Sequence, residues 1–228
     1  MFEVPKEAAA LKWPYADAES LIAAAKTERK AREAIARQWI SEGVPFAFKD
    51  CPALYEYIRD WIGKKLDVPA KSVAVTGSAS LGQSLARKKL GQNFGEGSDL
   101  DFFIVSETLF QNVSDDFHNW SADYKSGAIH PRNPREASFW DSNLNEVPHN
   151  IRHGFMNTDR VPNLTRYPTT RSANEIMSRL VSWCKKSQDP IVPMFQRASI
   201  RCYKNWGSVI AQLSLNLNFI SKSKNLHK

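Results

Sequence analysis

Apolar positions along this chain recur first at helical spacing. From Asp17 to Trp39 the sequence is rich in Ala, carries Lys26, Arg29, Lys30, Arg32 and Arg37 on faces open to water, and meets Gly43 just past its end, a pattern that predicts one helix. Pro52 opens a second helix, in which Leu54, Ile58, Trp61, Ile62 and Leu66 form one stripe before Pro69 stops it. The period then changes. Val73-Ala74-Val75 is a short apolar run that breaks at Gly77-Ser78, and a short helix is expected from Leu81 to Leu90, closed by Gly91. After a loop, Gln92 to Ser98, comes Asp99-Leu100-Asp101-Phe102-Phe103-Ile104-Val105, whose last residues read as a strand.

Residues 112–171 are polar, and Pro131, Pro134, Pro148, Pro162 and Pro168 punctuate them, so this stretch reads as an aperiodic insertion. Helical spacing returns over Ala173 to Lys185, followed by a strand at Ala198 to Tyr203 and a final helix from Trp206 to about Ile220. Trp183, Trp206 and Phe219 fit the apolar faces of these last helices and are expected in the core. The chain therefore divides into a helical segment, 1–70, packed on a core, 71–228, that carries an insertion at about 112–171. Its 228 residues, 42% of them hydrophobic, suffice for one compact domain.

Charge narrows the class of partner. Lys and Arg number 31 against 24 Asp and Glu, a net +7 that favours a nucleotide, a nucleic acid or both. Cys51, Cys184 and Cys202 are far apart and show no paired metal-ligand spacing, so they are expected as reduced core thiols in a cytoplasmic protein. No run approaches the ~18 apolar residues of a membrane span, and Glu3, Lys6 and Glu7 at the start do not suit a leader, so no membrane partner is expected.

The chemistry concentrates between Val73 and Val105. Residues two apart on a strand share a face, so Asp99 and Asp101 project together while Leu100, Phe102 and Ile104 turn into a core. Two adjacent carboxylates repel, and a divalent cation such as Mg²⁺ or Mn²⁺ relieves that repulsion. With a triphosphate present, carboxylates and phosphate oxygens can hold two metal ions ~3.5 to 4 Å apart. Gly77 removes the Cβ that would block a phosphate, and Ser78 adds a hydroxyl and backbone donors.

A strand, Gly77-Ser78, a helix and then Ser98-Asp99-Leu100-Asp101 leading into an apolar strand resembles the glycine-serine and Asp-x-Asp signature of the nucleotidyltransferase superfamily. The match lies within Val73 to Val105, 33 of the 228 residues. It implies an α/β (α+β) chain with the polymerase-beta-like nucleotidyltransferase fold, a small mixed sheet flanked by helices. It further implies Mg²⁺-dependent transfer of a nucleoside monophosphate from a nucleoside triphosphate to a hydroxyl. Gly77 and Ser78 would hold the triphosphate, and Asp99 and Asp101 would be the catalytic metal ligands. Bacterial cGAS-like signal synthases, often antiviral, and antitoxin-type enzymes that modify protein or transfer RNA share that signature.

Two departures and two rivals accompany the resemblance. Its third carboxylate belongs on a later strand, yet 198–203 contains no acid, leaving Asp141, Asp159 and Glu175 as poor substitutes and a degenerate, binding-only protein as an alternative. The interval from Ser78 to Asp99 is also long, and its Arg87, Lys88 and Lys89 are read as a solvated face. Gly77-Ser-Ala-Ser-Leu-Gly82-Gln83-Ser84 nearly spells a P-loop, but Gln83 replaces the phosphate-binding lysine. His149 and His153, four apart, lack a completing ligand set and are expected as a surface pair.

Overall fold

The computed structural model describes residues 4–223 and, for side chains, 4–222. Its sheet has four strands in the order β1-β2-β4-β3. Strand β1 (Val73–Thr76) runs antiparallel to β2 (Asp99–Val105), β2 runs parallel to β4 (Arg197–Tyr203), and β3 (Phe155–Asn157) runs antiparallel to β4. The helices in chain order are α1 (Lys6–Ala9), α2 (Ala18–Thr27), α3 (Arg29–Ile35), α4 (Pro52–Leu66) and α5 (Ser78–Leu81), then α6 (Glu107–Lys125), α7 (Pro134–Arg152), α8 (Pro168–Lys186) and α9 (Trp206–Ser223). The chain is thus a mixed α/β structure, as its alternating periods predict.

Period-two alternation decides which helices cover which face. Leu100, Phe102 and Ile104 point to one side with Val73, Val75, Met156, Ile200 and Cys202, and there they meet the buried faces of α4, α6 and α8. Phe103 points the other way, with Ala74, Phe155 and Tyr203, against Leu21, Ile35 and Leu213 of α2, α3 and α9. Each such buried apolar side chain contributes about 1.5–3 kcal/mol relative to exposure. The first seventy residues therefore split, with α2 and α3 on one face of the sheet and α4 on the other. Among the described residues no helix is long and apolar enough to cross a membrane.

Several predicted elements end elsewhere. The helix expected over Asp17 to Trp39 breaks at Glu28, whose φ −158° and ψ 169° are extended. Thr27 Oγ1 and Arg32 Nη1 donate to the carbonyls of Ala24 and Ala25, satisfying the end of α2 so that the chain can turn. The turn lets Leu21 and Ile35 enter the same apolar cluster, which a straight helix of that length would keep apart. The helix expected over Leu81 to Leu90 lies earlier, at Ser78–Leu81. Gly82, at φ +86°, ends it, and a Cβ there would stand 2.7 Å from the Phe46 ring. Instead of helix, 83–93 folds back on itself, with Gln83 bridged to Asn93 and Ser84 N–H donating to the Gln92 carbonyl.

The polar middle proves to be mostly helix, which corrects the expected aperiodic insertion. Both α6 and α7 have 19 residues, and Ser106 and Asn133 cap them by accepting from the N–H groups of Leu109 and Glu136. Pro134 and Pro168 occupy first-turn positions, where the missing N–H costs nothing, and Pro148 merely forfeits one interior hydrogen bond of α7. The apolar period was hidden because polar residues sit on the buried faces. Asp116 is buried in α6 and its Oδ2 accepts from Thr170 N–H at 2.7 Å and Thr170 Oγ1 at 3.1 Å. Asn143 is fully buried in α7, donating to the Arg160 carbonyl and accepting from Arg160 Nη1.

Trp183, Trp206 and Phe219 are 48%, 46% and 66% exposed, so they are surface residues rather than the core residues expected. The buried stripes of α8 and α9 are narrower than the apolar pattern suggested. Their apolar residues are Ala173, Ile176, Met177, Leu180 and Cys184 in one helix and Val209, Leu213 and Leu217 in the other. Cys184 and Cys202 are buried and free, and burial pushes their thiols up to about 11 and about 12. Both therefore stay protonated and act as apolar packing.

Replacing Asp116 with Ala would leave the Thr170 N–H buried without its acceptor, while the Thr170 hydroxyl would keep the Tyr167 carbonyl at 3.2 Å. Asp116→Ala is expected to cost about 1–3 kcal/mol of unfolding free energy, measured as a lower urea midpoint with unchanged slope.

Candidate active site

The pairing of β1 with β2 places the glycine-serine turn beside the acids. Thr76 is the register partner of Asp101, so the next residue, Gly77, turns over the start of β2. A Cβ added to Gly77 would lie 3.8 Å from Asp101 Oδ2. Gly77 has φ +73° and ψ −151°, a backbone region open essentially to glycine alone. Its carbonyl accepts from the N–H groups of Ser80 and Leu81, while Ser78 begins α5 and faces the same cleft. Four helical residues carry little dipole, so the value of the turn to an anion lies in its open backbone and the Ser78 hydroxyl.

Gly77, Ser78, Asp99 and Asp101 all line this cleft, together with Ser84, Lys89, Gln92 and Asn93 from the folded-back loop and Leu213 and Asn216 from α9. The acids emerge on the face that α2, α3 and α9 cover further along the strand. Phe103 is sealed there, and the strand is uncovered only at its first residues. Lys89 borders the cleft, whereas Arg87 and Lys88 are exposed outside it.

Strand β4 contributes a second row. Parallel pairing sets Asp99 against Arg197 and Asp101 against Ser199, with Arg201 next on the same side. Arg197 donates to Asp99 through Nε at 3.2 Å and Nη2 at 2.9 Å. Ser199 Oγ donates to Asp101 Oδ1 at 2.7 Å. A serine thus faces Asp101 at the place where a third carboxylate would best reach a metal shared by the pair. Alternation of Arg197, Ser199 and Arg201 was visible in the sequence, but nothing there revealed that β4 lies beside β2.

Of the three substitute acids, only Asp159 reaches the cleft. Asp141 accepts from Tyr124 on the outer side of α7, and Glu175 pairs with Arg171 within α8. Asp159 follows β3 in a single turn of 3₁₀ helix, Thr158–Arg160, and lines the arginine side of the cleft with Asn157, Arg197 and Arg201. Although the residue keeps an open face to solvent, desolvation of its carboxyl raises its pKa. Arg160 and Arg201 oppose that shift and the negative charge of Asp101 adds to it. Crowding around the carboxyl, and not the exposure of the residue as a whole, sets its environment.

Gln83 Oε1 accepts from Ala18 N–H at 3.0 Å, and Gly82 ends a helix instead of opening one, so the near P-loop is a structural turn. His149 and His153 are both exposed with ring centroids 4.4 Å apart on the end of α7, a surface pair. Among the described residues no three His, Cys, Asp or Glu side chains group closely enough to hold a metal ion by themselves. Asp99 and Asp101 suit one divalent cation whose other ligands are phosphate oxygens, since Mg²⁺ commonly binds through one or two carboxylates plus substrate. A second ion in the same place would lack a protein carboxylate and would face Arg197. No family model, curated protein or solved structure matches this chain.

Arg197→Ala should free Asp99 for a cation. Because the pair is solvent-exposed, the expected gain in Mn²⁺ affinity is up to about fivefold, by titration calorimetry in the presence of a triphosphate. Asp159 gives a pH signature. Its folded pKa lies above the unfolded value, so its contribution to stability is intact below the ordinary carboxylate range and is lost as pH rises through the folded value. Asp159→Asn is therefore expected to raise the melting temperature at about pH 7 relative to wild type, with the gap closing towards about pH 4. A gap that is constant with pH refutes this.

Proposed function

We propose that the protein is a divalent-cation-dependent nucleotidyltransferase built on the polymerase-beta-like plan, moving a nucleoside monophosphate from a triphosphate to a hydroxyl. The observation that carries this reading is the Thr76–Asp101 register, which brings a glycine-only turn within van der Waals reach of an Asp-x-Asp pair in one open cleft. Ser78 and the backbone around Gly77 are the groups suited to hold the terminal phosphates, and Lys89 stands on the same wall. Asp99 and Asp101 would hold Mg²⁺ or Mn²⁺, which when bound supplies neutralisation of the phosphate charge.

In the reaction, the acceptor oxygen bonds to the α-phosphorus and the bond from that phosphorus to the bridging oxygen breaks. Pyrophosphate leaves with the bonding pair, and the hydroxyl proton passes to solvent by way of the cleft carboxylates. The residues of this chain contribute placement and charge: the turn fixes the triphosphate, and the acids define where the α-phosphate lies.

A second reading is a protein that binds nucleotide without transferring it. It is favoured by the ion pair of Arg197 with Asp99 and by Ser199 in the place of an acid. The two separate when purified protein is incubated with each α-labelled triphosphate and Mg²⁺. Incorporation of label into a larger product supports transfer, and Asp101→Ala is then expected to reduce it by about two to three orders of magnitude. Retention of triphosphate with no product, in wild type and Arg197→Ala alike, establishes binding alone.

A further inference from the structure

We infer that the acceptor is a single-stranded nucleic acid, held in the arginine-lined continuation of the cleft beyond the acid pair. This rests on the transfer reading of the cleft and names its acceptor.

The cleft does not stop at Asp101. Past the acids it opens into a hollow of about 400 Å³ lined by Asn157, Asp159, Arg197, Ser199 and Arg201. Asp159 also lines a second hollow, of about 670 Å³, whose walls include His130, Phe139 and Asn163. Each is of the size that holds a small-molecule ligand or one unit of a polymer. The first hollow adjoins the triphosphate side at Gly77, Asp99 and Asp101, and Asp159 stands between it and the second, which carries the aromatic surface.

Arg201 is a cation that the nearer hollow sets beside its acids Asp99, Asp101 and Asp159. It is half-buried and its Nε donates to Asn157 Oδ1 at 2.6 Å, an orientation that holds the guanidinium in place. Its other contacts are the Tyr203 hydroxyl at 3.4 Å and the Phe155 ring at 5.3 Å. Among the described residues it forms no ion pair, whereas Arg197, the other arginine of this hollow, pairs with Asp99. A positioned guanidinium beside a reaction centre, coupled to the Asp159 carboxylate through space and not by an ion pair, is suited to a phosphate. A serine or tyrosine acceptor on a protein would bring no such charge.

The far hollow supplies a second requirement of strand binding. Phe139 is 43% exposed there, and the Arg160 guanidinium lies 5.5 Å from its ring centroid. Exposed aromatic and guanidinium planes along a basic groove are how single strands are held without reading their sequence, by stacking bases and tracking phosphates. A strand bound here would set its terminal hydroxyl at the acids, the preceding phosphate at Arg201 and a base at Phe139.

Fluorescence anisotropy with a labelled single-stranded RNA 12-mer and its DNA counterpart, titrated with salt, tests this on the full chain. Arg201→Gln is expected to weaken binding about tenfold or more and to lower the slope of log affinity against log salt by about 0.7. Phe139→Ala, at an exposed helix position, is expected to weaken it about fivefold or more, with its salt slope unchanged. Arg201→Lys should retain most of the salt slope. Mg²⁺-dependent binding of labelled ATP should be the same in wild type and all three variants. The proposal is overturned if wild type binds neither strand, or if Arg201→Gln loses ATP but keeps the strand. Label appearing only on a protein in the transfer assay also overturns it. Strand binding that responds to both variants in a protein that binds no triphosphate would uphold the groove and sink the transfer reading.

Discussion

Strand β2 is hydrogen-bonded along both edges, to β1 and to β4, and from Phe102 to Ile104 it is buried on both faces. A slip of one residue in its register would turn Phe103 out of its cluster and send Asp99 and Asp101 into the apolar core. Burying two unpaired carboxyls costs several kcal/mol each, comparable to a domain's net stability, so the folding of the core and the placement of the acids are coupled. Thr76 opposite Asp101, Gly77 over its carboxyl and Ser199 against its other edge all inherit their positions from that register. The site is therefore as rigid as the sheet that carries it.

Around this strand the protein spends helices unevenly. One face is sealed by α4, α6 and α8, and the other by α2, α3 and α9 except over the first residues of β2. The cleft exists because that second layer stops short. The uncovered strip carries Asp99, Asp101, Asp159, Arg197 and Arg201, charges that could not be left beneath a helix. Opposite signs interleaved along the strip temper its repulsion. Asp159 nonetheless remains a strained member, since desolvation and Asp101 both oppose its ionisation. Strain of that kind is expected where a surface is shaped for a ligand and not for stability alone.

Elements with one dominant local cause were legible in the chain. Pro52 at the start of α4, with apolar positions at helical spacing, and the Asp-x-Asp alternation into β2 needed no partner to be read. The middle third was not legible, because its proline residues open helices and its buried positions include Asp116, Asn143 and Thr170. A hydropathy pattern records such residues as surface, yet each is satisfied by a partner between 17 and 54 residues away. Trp183, Trp206 and Phe219 failed in the opposite sense, since a helix shows its apolar residues but not how wide a stripe its neighbours will cover.

By itself the sequence determined the local chemistry: a glycine able to take φ +73°, a hydroxyl after it, and two acids on one face of a strand. These follow from alternation and from side-chain size, which act over a few residues. Only the tertiary structure decided what stands across from those acids. That Arg197 and Ser199 oppose Asp99 and Asp101, that Asp159 alone of three acids enters the cleft, and that Arg201 stands in the same hollow held by Asn157 are consequences of pairing strands 98 residues apart. Such pairing is set by the packing of the whole core on β2, a sum over many weak contacts that no short window of sequence contains.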